Sequence, residues 1–172
     1  MAGLRLPVES HILQAFVTEP LKPIVHHVVS WGAELFYLSQ SDKGGLVFGG
    51  HIDGFNTYTQ RGQFAKIQGV AECAVSLMPF VSRVRLLRHW GGIQDMTPDG
   101  SPFICKTPVR NLYLNGGWCY QGFKATPASG WTFAHTIAHD DEHDLVRDFS
   151  LDRFEKGGEL DEYGTGNWTW KQ

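Results

Sequence analysis

The sequence predicts a chain that mixes β-strands with two α-helices, in the α+β or α/β class. Short β-rich runs separated by turn residues fill the first third of the chain. One amphipathic segment follows, and after it a strand, a glycine-containing loop and a second helical segment come in succession. With 172 residues, 42% hydrophobic and 19% charged, the chain has the composition of a globular protein and the length of about one domain.

The β-rich runs have the length and the flanking residues of strands. We expect strands at residues 13–18, 34–40 and 45–50. Ser41-Asp42-Lys43-Gly44 lies between the last two and favours a tight turn, which predicts a β-hairpin. The polar and aromatic residues 53–61 predict a loop.

The amphipathic segment at residues 63–78 predicts the first helix, because apolar residues recur at three- and four-residue spacing and Pro79 follows. Residues 81–93, in which arginines alternate with apolar residues, predict a further strand. Thr97-Pro98-Asp99-Gly100 predicts a turn. The remaining β-rich runs predict two short strands, at residues 103–105 and 112–114.

The second helix is expected to begin at Thr126-Pro127 and to end near His139. Threonine is a favoured N-cap residue, and proline suits the first helical position. Lys124 then precedes the cap by two residues, so its ammonium group lies beside the positive end of the helix.

The charge balance and the cysteines exclude several classes of function. Fifteen basic and 18 acidic residues give a net charge of −3, without the electrostatic footprint of a nucleic-acid or membrane binder. Cys73, Cys105 and Cys119 form neither a disulfide framework nor a C-x-x-C motif, which favours a reducing compartment. The sequence has no apolar run of membrane-spanning length and no apolar N-terminal segment typical of a signal peptide. We therefore expect a cytoplasmic protein.

The glycines before the second helix form the most informative segment. Gly116, Gly117 and Gly122 allow a flat or anionic ligand to approach the backbone, and the start of a helix offers free N–H groups. Trp118, Tyr120 and Phe123 are placed to wall a planar ring. The segment suits a ligand that gains negative charge, such as a reduced flavin at its N1–C2=O edge, or a substrate carboxylate. From the pattern alone, an ordinary strand-to-helix loop that needs glycine for its geometry is the favoured alternative, and the spacing matches neither G-x-G-x-x-G nor a P-loop.

A metal site is a weaker alternative. His135, His139 and His143 recur at four-residue spacing, which places the first two on one helical face. The glutamate of H-E-x-x-H is missing, and histidine near a helix C-terminus is favoured by the dipole alone. We therefore expect no metal in the site.

Several stretches resemble a known family in order and without large gaps. They are RLPVESHILQAFVTEPLKP, RLLRHWGGIQDMTPDGSP, GFKATPASGW and FSLDRF. They resemble the C-terminal part of the β subunits of heterotetrameric sarcosine oxidases, which belong to the D-amino-acid-oxidase-like FAD-dependent oxidoreductases. The resemblance covers nearly the whole chain.

This resemblance implies part of a FAD-dependent amine oxidoreductase fold, in which a substrate domain with a mixed sheet interrupts a Rossmann-type FAD domain. Residues 1–85 would belong to the substrate domain. Residues 86–145 would supply the returning strands, the flavin loop and the helix of the FAD domain, and residues 146–172 would form a C-terminal tail.

The resemblance also implies roles for the residues of the glycine loop. Lys124 would be the catalytic residue and, with Tyr120, would bind the substrate. The residues implied to bind FAD are Gly117, Trp118, Cys119, Gly122, Phe123, Lys124 and Thr126. FMN at a subunit interface is also implied, with its covalent histidine upstream in the family.

Two differences from the family shape the expectation. The chain has no G-x-G-x-x-G unit for the ADP moiety, so we expect a fragment or one piece of a split protein that shares FAD with an N-terminal half. Cys119-Tyr120-Gln121 replaces glycine-rich residues of the family, and these bulkier side chains are expected to reshape the flavin-facing pocket. The expected reaction is oxidation of sarcosine or a related secondary amino acid, with transfer of a hydride equivalent to the flavin, within a hetero-oligomer. The alternative is a non-catalytic interaction module that needs a partner chain.

Overall fold

The computed structural model describes residues 2–32 and 35–160. Within these residues the chain divides into two compact units, one of residues 10–93 and one of residues 2–9 and 94–160. The mixture of strands and helices confirms the predicted fold class. The strands are β1 (Glu9–Pro20), β2 (Val29–Trp31), β3 (Phe36–Gln40), β4 (Gly45–Ile52), β5 (Leu86–Met96), β6 (Phe103–Lys106) and β7 (Tyr113–Gly116), and the α-helices are α1 (Phe64–Leu77) and α2 (Gly122–His139).

A five-stranded sheet in the order β2-β3-β4-β1-β5 builds the unit of residues 10–93. β4 pairs antiparallel with both β3 and β1. The predicted hairpin is confirmed: the Ser41 N–H donates to the Gly45 carbonyl at 2.9 Å and the Gly44 N–H to the Ser41 carbonyl at 2.8 Å. The predicted loop after β4 is also present, and the predicted first residue of β3, Glu34, lies outside the described residues.

The core of this unit lies between one face of the sheet and α1. Phe16 and Phe48 stack with their ring centroids 5.2 Å apart, in register on adjacent strands. Full burial of such a side chain contributes about 1.5–3 kcal/mol, so this layer supplies much of the unit's stability. The buried members of the core are Phe16, Phe36, Leu38, Leu46, Phe48, Val70, Cys73, Ala74 and Val81.

The strand expected at residues 81–93 begins later and ends later than predicted. Residues Pro79–Arg83 form a 3₁₀-helix, in which the Ser82 hydroxyl donates to the Pro79 carbonyl at 2.7 Å. This turn directs Val81 into the core, and only after it does the chain extend into β5. Alternating arginines therefore predicted the strand but not its start.

The second unit is built on the antiparallel pair of β6 and β7, against which α2 packs. A 3₁₀-helix at Asp144–Phe149 contacts β6. The predicted turn is confirmed, since the Gly100 N–H donates to the Thr97 carbonyl at 3.2 Å. None of the described helices combines the length and the hydropathy needed to cross a bilayer.

Candidate functional site

The N-terminus of α2 lies four residues earlier than the sequence predicts. The helix begins at Gly122, and Gln121 is its N-cap residue. The predicted N-cap at Thr126 is therefore wrong, and Pro127 lies inside the helix. Lys124 consequently belongs to the first helical turn and does not precede the helix.

The chain tolerates Pro127 in the helix because of where the missing hydrogen bond falls. A proline removes the N–H that would bond the carbonyl four residues earlier. That carbonyl belongs to Phe123, in the exposed first turn, where water can replace the lost donor. The Thr126 hydroxyl donates to the preceding carbonyl, that of Gly122, at 3.0 Å. Thr-Pro satisfies the local rules for an N-cap and a first helical position, which explains the wrong boundary.

The start of α2 concentrates positive charge without any neutralising group of its own. Gln121 makes no capping bond through its side chain, and the first turn contains no acidic residue. Lys124 is exposed and forms no hydrogen bond or ion pair with the described residues. A lysine in the first turn opposes the helix dipole, so this arrangement costs stability unless an anion binds there.

The loop before the helix is held in a fixed shape. Gly117 has φ +71°, and a Cβ at this position would lie 2.7 Å from Cγ2 of Thr97. Cys119 has φ +52°, and its N–H donates to the Asp95 carbonyl at 3.0 Å. The loop therefore follows the end of β5 closely, and glycine is required at 117.

A buried ion pair between Arg153 and Asp99 holds the turn that packs against this loop. Arg153, only 3% exposed, donates to both carboxylate oxygens of Asp99 at 2.8 and 2.9 Å, and also to the Ser101 carbonyl at 2.7 Å. Its guanidinium group lies 4.2 Å from the ring centroid of Phe103. The Thr97 hydroxyl donates to the same Ser101 carbonyl at 2.8 Å. Sequence reasoning missed Arg153, because nothing in the sequence signals a partner 54 residues away.

The Asp99 carboxyl is ionised more readily than usual. Burial alone raises its pKa, but the hydrogen bonds from Arg153 and from the N–H groups of Leu160 and Ser101 outweigh burial and hold the pKa below its ordinary value. The turn beneath the loop therefore carries a permanent, compensated charge at neutral pH.

The predicted site residues fall into an exposed group and a buried group. Phe123 is 96% exposed, and Lys124, Thr126 and Tyr120 are exposed with it. Trp118 and Gly122 are partly buried, and Gly117 and Cys119 are buried.

The two side chains that turn inward have structural partners. The Trp118 indole N–H donates to Oδ1 of Asn115 at 2.8 Å, which fixes the orientation of the ring. The Cys119 thiol donates to the Gly117 carbonyl at 3.5 Å, and burial raises its pKa. The sulfur of Cys119 is therefore occupied inside the loop.

The histidines at the other end of α2 form a ring cluster. The rings of His135 and His139 lie 4.4 Å apart, and those of His135 and His143 lie 5.0 Å apart, by centroid distance. No group of three or more histidine, cysteine, aspartate or glutamate side chains in the described part of the chain is placed to hold a metal ion. The cluster is an aromatic contact that also includes Trp131, 4.7 Å from His143.

Comparison with protein families identifies the chain. The model of the DAO family of FAD-dependent oxidoreductases matches residues 1–136. The chain belongs to this family. The glycine loop and the first part of α2, with Lys124, lie within the matched region of the DAO family.

Curated relatives confirm the resemblance to sarcosine oxidase β subunits. The chain is 61% identical over 166 residues to the sarcosine oxidase subunit beta of Rhizobium meliloti (strain 1021). The aligned region covers 96% of this chain and 40% of the relative. It is 49% identical to the corresponding subunit of an Arthrobacter species, covering 95% of the chain and 40% of that relative. This DAO-family chain thus spans about 40% of the length of the relatives it matches.

Solved structures of the DAO type share the fold. The L-proline dehydrogenase of P. horikoshii superposes with a TM-score of 0.80 at 28% identity, over 90% of this chain and 42% of that one. The glycine oxidase of Geobacillus kaustophilus superposes with a TM-score of 0.77 at 23% identity, over 88% and 40% of the two chains. At the latter identity the likeness concerns the fold alone.

Proposed function

We propose that this chain is the flavin-facing part of a FAD-dependent oxidoreductase that oxidises sarcosine or a related secondary amino acid. The observation that carries the proposal is the positive, uncapped and acid-free start of α2 with the exposed ammonium group of Lys124. The relatives that the chain matches are named as β subunits of sarcosine oxidase, which agrees with this reading. They do not favour a non-catalytic interaction module.

FAD fits the residues at the start of α2. The free N–H groups of the first turn and the Lys124 ammonium suit an electron-rich ring edge, since negative charge is favoured at a helix N-terminus. Gly117, Gly122 and Thr126 would shape that edge, and Trp118 and Phe123 would flank the ring. When bound, FAD would accept the hydride equivalent from the C–N carbon of the amine, and the resulting imine would be hydrolysed.

Lys124 is the residue that we assign to catalysis. Its ammonium would bind the substrate carboxylate and neutralise negative charge that develops nearby, which is stabilisation placed where charge appears. Tyr120 would complete the substrate contact through its exposed hydroxyl-bearing ring. We assign no general base, because a secondary amine can enter the site deprotonated.

The remainder of the flavin site is proposed to lie in polypeptide outside this chain. The sequence has no G-x-G-x-x-G motif, which ordinarily holds the pyrophosphate of a dinucleotide. More than half of each sarcosine oxidase relative lies beyond the matched region. These relatives are named as subunits, which favours further subunits as partners of this chain. From the family resemblance we also propose that FMN binds at a subunit interface.

Substitution of Lys124 tests the proposal in a protein completed with the unmatched part of the Rhizobium meliloti relative. Loss of one charge-assisted hydrogen bond costs about 1.5–3 kcal/mol, so we expect Lys124→Ala to lower kcat/KM for sarcosine about 10- to 150-fold. Lys124→Arg should retain more activity than the alanine variant. The matched control is Lys43→Ala, which removes an exposed lysine from the β3–β4 turn.

Absorbance spectra complete this test. The assembled protein should show the visible absorbance of a bound flavin, and Lys124→Ala should alter that spectrum while Lys43→Ala does not. Parental kinetics in Lys124→Ala would remove this residue from the mechanism. A colourless assembled protein would overturn the proposed flavin site itself.

A further inference from the structure

Three polar side chains in the unit of residues 10–93 are buried. His11 and Gln14, both on β1, are 0% exposed, and Asp53, directly after β4, is 1% exposed. The Asp53 N–H donates to the Ile12 carbonyl at 2.9 Å, and Nδ1 of His11 lies 2.6 Å from the Asp53 carbonyl oxygen. The backbone of Asp53 is therefore fixed against β1, and the surroundings of its carboxylate are set by the neighbouring side chains.

Gln14 connects this cluster to β5. Its Oε1 accepts a hydrogen bond from Nε2 of His89 at 2.9 Å. An amide oxygen cannot donate, so this contact requires a proton on Nε2 of His89. The His89 ring also packs against Phe16, with the ring centroids 5.1 Å apart, and Gly62 packs so closely against the Gln14 amide that a Cβ there would overlap it. The amide group is therefore held in place, and only an exchange of its nitrogen and oxygen ends leaves its outline unchanged.

The other end of Gln14 and the Asp53 carboxylate are complementary. Nε2 of Gln14 is buried without an acceptor among the described residues, and neither carboxylate oxygen of Asp53 has a donor there. Burial raises the pKa of the Asp53 carboxyl, and Gln14 lies near enough to oppose this rise. An unpartnered buried donor and an unpartnered buried acceptor are both costly. The amide nitrogen of Gln14 is therefore the donor that suits the ionised form of Asp53.

We propose that the Gln14 amide is a proton-linked switch between Asp53 and His89. While Asp53 is ionised, Nε2 of Gln14 faces the carboxylate and Oε1 accepts from His89. When Asp53 takes a proton from the solvent, its carboxyl becomes a donor, and the amide turns over so that Oε1 accepts from it. Nε2 of Gln14 then donates to Nε2 of His89. The exposed His89 ring exchanges its proton with the solvent and carries it on Nδ1, so its number of protons is unchanged.

This switch makes protonation of Asp53 and of His89 oppose each other. A charged imidazole has a proton on both nitrogens, so it can only donate to Gln14, and Oε1 then does not serve a protonated Asp53. A charged His89 thus holds Asp53 in its ionised form. Lys66 of α1 and His11 of β1 also favour the ionised form, through charge. The inference rests on the polar cluster and does not require the proposed flavin chemistry.

Nuclear magnetic resonance tests the switch in the protein completed as for the Lys124 test, with labelled histidine rings and aspartate carboxyl carbons. Above about pH 8, where imidazole is neutral, we expect His89 to carry its proton on Nε2. Gln14→Leu replaces the amide by an apolar side chain of similar volume, so the midpoint of the Asp53 titration should rise by about one pH unit. His27→Leu, at an exposed histidine of the same unit, is the control and should leave the midpoint unchanged.

A double-variant cycle separates the switch from the charge of His89. His89→Leu frees the amide to turn toward a protonated Asp53, so it should raise the midpoint of the Asp53 titration by about half a pH unit or more. In the Gln14→Leu background the same substitution should have little effect. Circular dichroism checks that each variant is folded, and Gln14→Met supplies a second apolar side chain at this position.

Three outcomes would overturn the proposal. A proton on Nδ1 of His89 while Asp53 is ionised would mean that the Gln14 amide faces the other way. Equal effects of His89→Leu with and without Gln14 would show that His89 acts on Asp53 through charge alone. A midpoint that stays in place in both apolar variants of Gln14 would remove the amide from the linkage. The tautomer of His89 is measured in the parent protein, so it decides the question even where a variant unfolds.

Discussion

Arg153 and Asp99 are joined by two parallel hydrogen bonds, from Nε to Oδ2 at 2.8 Å and from Nη2 to Oδ1 at 2.9 Å. Both side chains are almost completely buried. The pair connects the segment after α2 to the turn that precedes β6. Thr97, in this turn, lies against Gly117 of the loop and donates to the Ser101 carbonyl. The shape of the candidate flavin loop therefore depends on an ion pair that lies outside the loop.

Breaking this ion pair should destabilise the protein strongly. In Arg153→Met the Asp99 carboxylate stays buried without its cation, and removal of one partner from a buried pair costs about 3–5 kcal/mol. The matched control is Arg147→Met, which breaks an exposed pair with Asp144 at 2.9 Å and should cost about 1 kcal/mol or less. Urea denaturation of both variants gives the comparison. Equal losses in the two variants would show that Arg153 contributes no more than a surface charge.

The same pair predicts how stability responds to acid. Because the folded pKa of Asp99 is lowered, its contribution is fully present above the unfolded pKa and is lost as the pH falls through the folded pKa. The parent chain should therefore lose stability below the ordinary aspartate pKa of 3.8. In Asp99→Asn this part of the acid-dependent loss should disappear. Denaturant midpoints measured between about pH 2 and pH 6 would show the difference.

Gly117 and Gly100 allow backbone strain to be separated from steric conflict. Both residues have positive φ, +71° and +77°, so an alanine at either position costs about 1 kcal/mol for the left-handed conformation. A Cβ at Gly117 would also lie 2.7 Å from the Thr97 methyl group, whereas a Cβ at Gly100 has no heavy atom closer than 3.7 Å. Gly117→Ala should therefore lower the free energy of unfolding more than Gly100→Ala. Equal effects in thermal denaturation would mean that Thr97 moves aside without cost.

The sequence predicts those elements whose signal is local. The helix α1 follows from its apolar periodicity and from Pro79, and the β3–β4 hairpin from its turn residues. The predicted start of α2 is wrong because Thr126-Pro127 satisfies the local rules for a helix start, while the actual first turn has no capping side chain. Arg153 is missed because its role comes from burial and from a distant partner. Local chemistry thus located the candidate loop, but not what supports it.

The three cysteines should react slowly with thiol reagents in the folded chain. All three are buried and none of them forms a disulfide, and burial raises the pKa of Cys105 to about 11 and raises that of Cys119 as well. Since the thiolate is the reactive species, neither thiol should react rapidly at pH 7.5 to 8, about the range of such assays. A chromogenic disulfide reagent should report three thiols in denaturant and almost none in the native protein within minutes. One fast thiol in the native chain would show that the protein opens locally around it.

A buried carboxylate in the sheet unit gives the last prediction. Asp53 is 1% exposed, and neither carboxylate oxygen has a hydrogen-bond partner among the described residues. Burial raises its pKa, and Lys66, Gln14 and His11 oppose this effect only in part. Burial disfavours a charged carboxylate more than a neutral amide of the same shape, so Asp53→Asn should stabilise the protein at neutral pH.

The pH dependence of this effect distinguishes the charge from simple repacking. With a raised folded pKa, the contribution of Asp53 is fully present below its unfolded pKa and is lost as the pH rises through the folded pKa. The gain in Asp53→Asn should therefore be largest at neutral pH and should shrink as the pH approaches the ordinary aspartate value of 3.8. Asp148→Asn, at an exposed carboxylate, is the control and should change little at any pH. A gain that is constant across the pH range would show that folding does not shift the pKa of Asp53 and that the amide stabilises by packing.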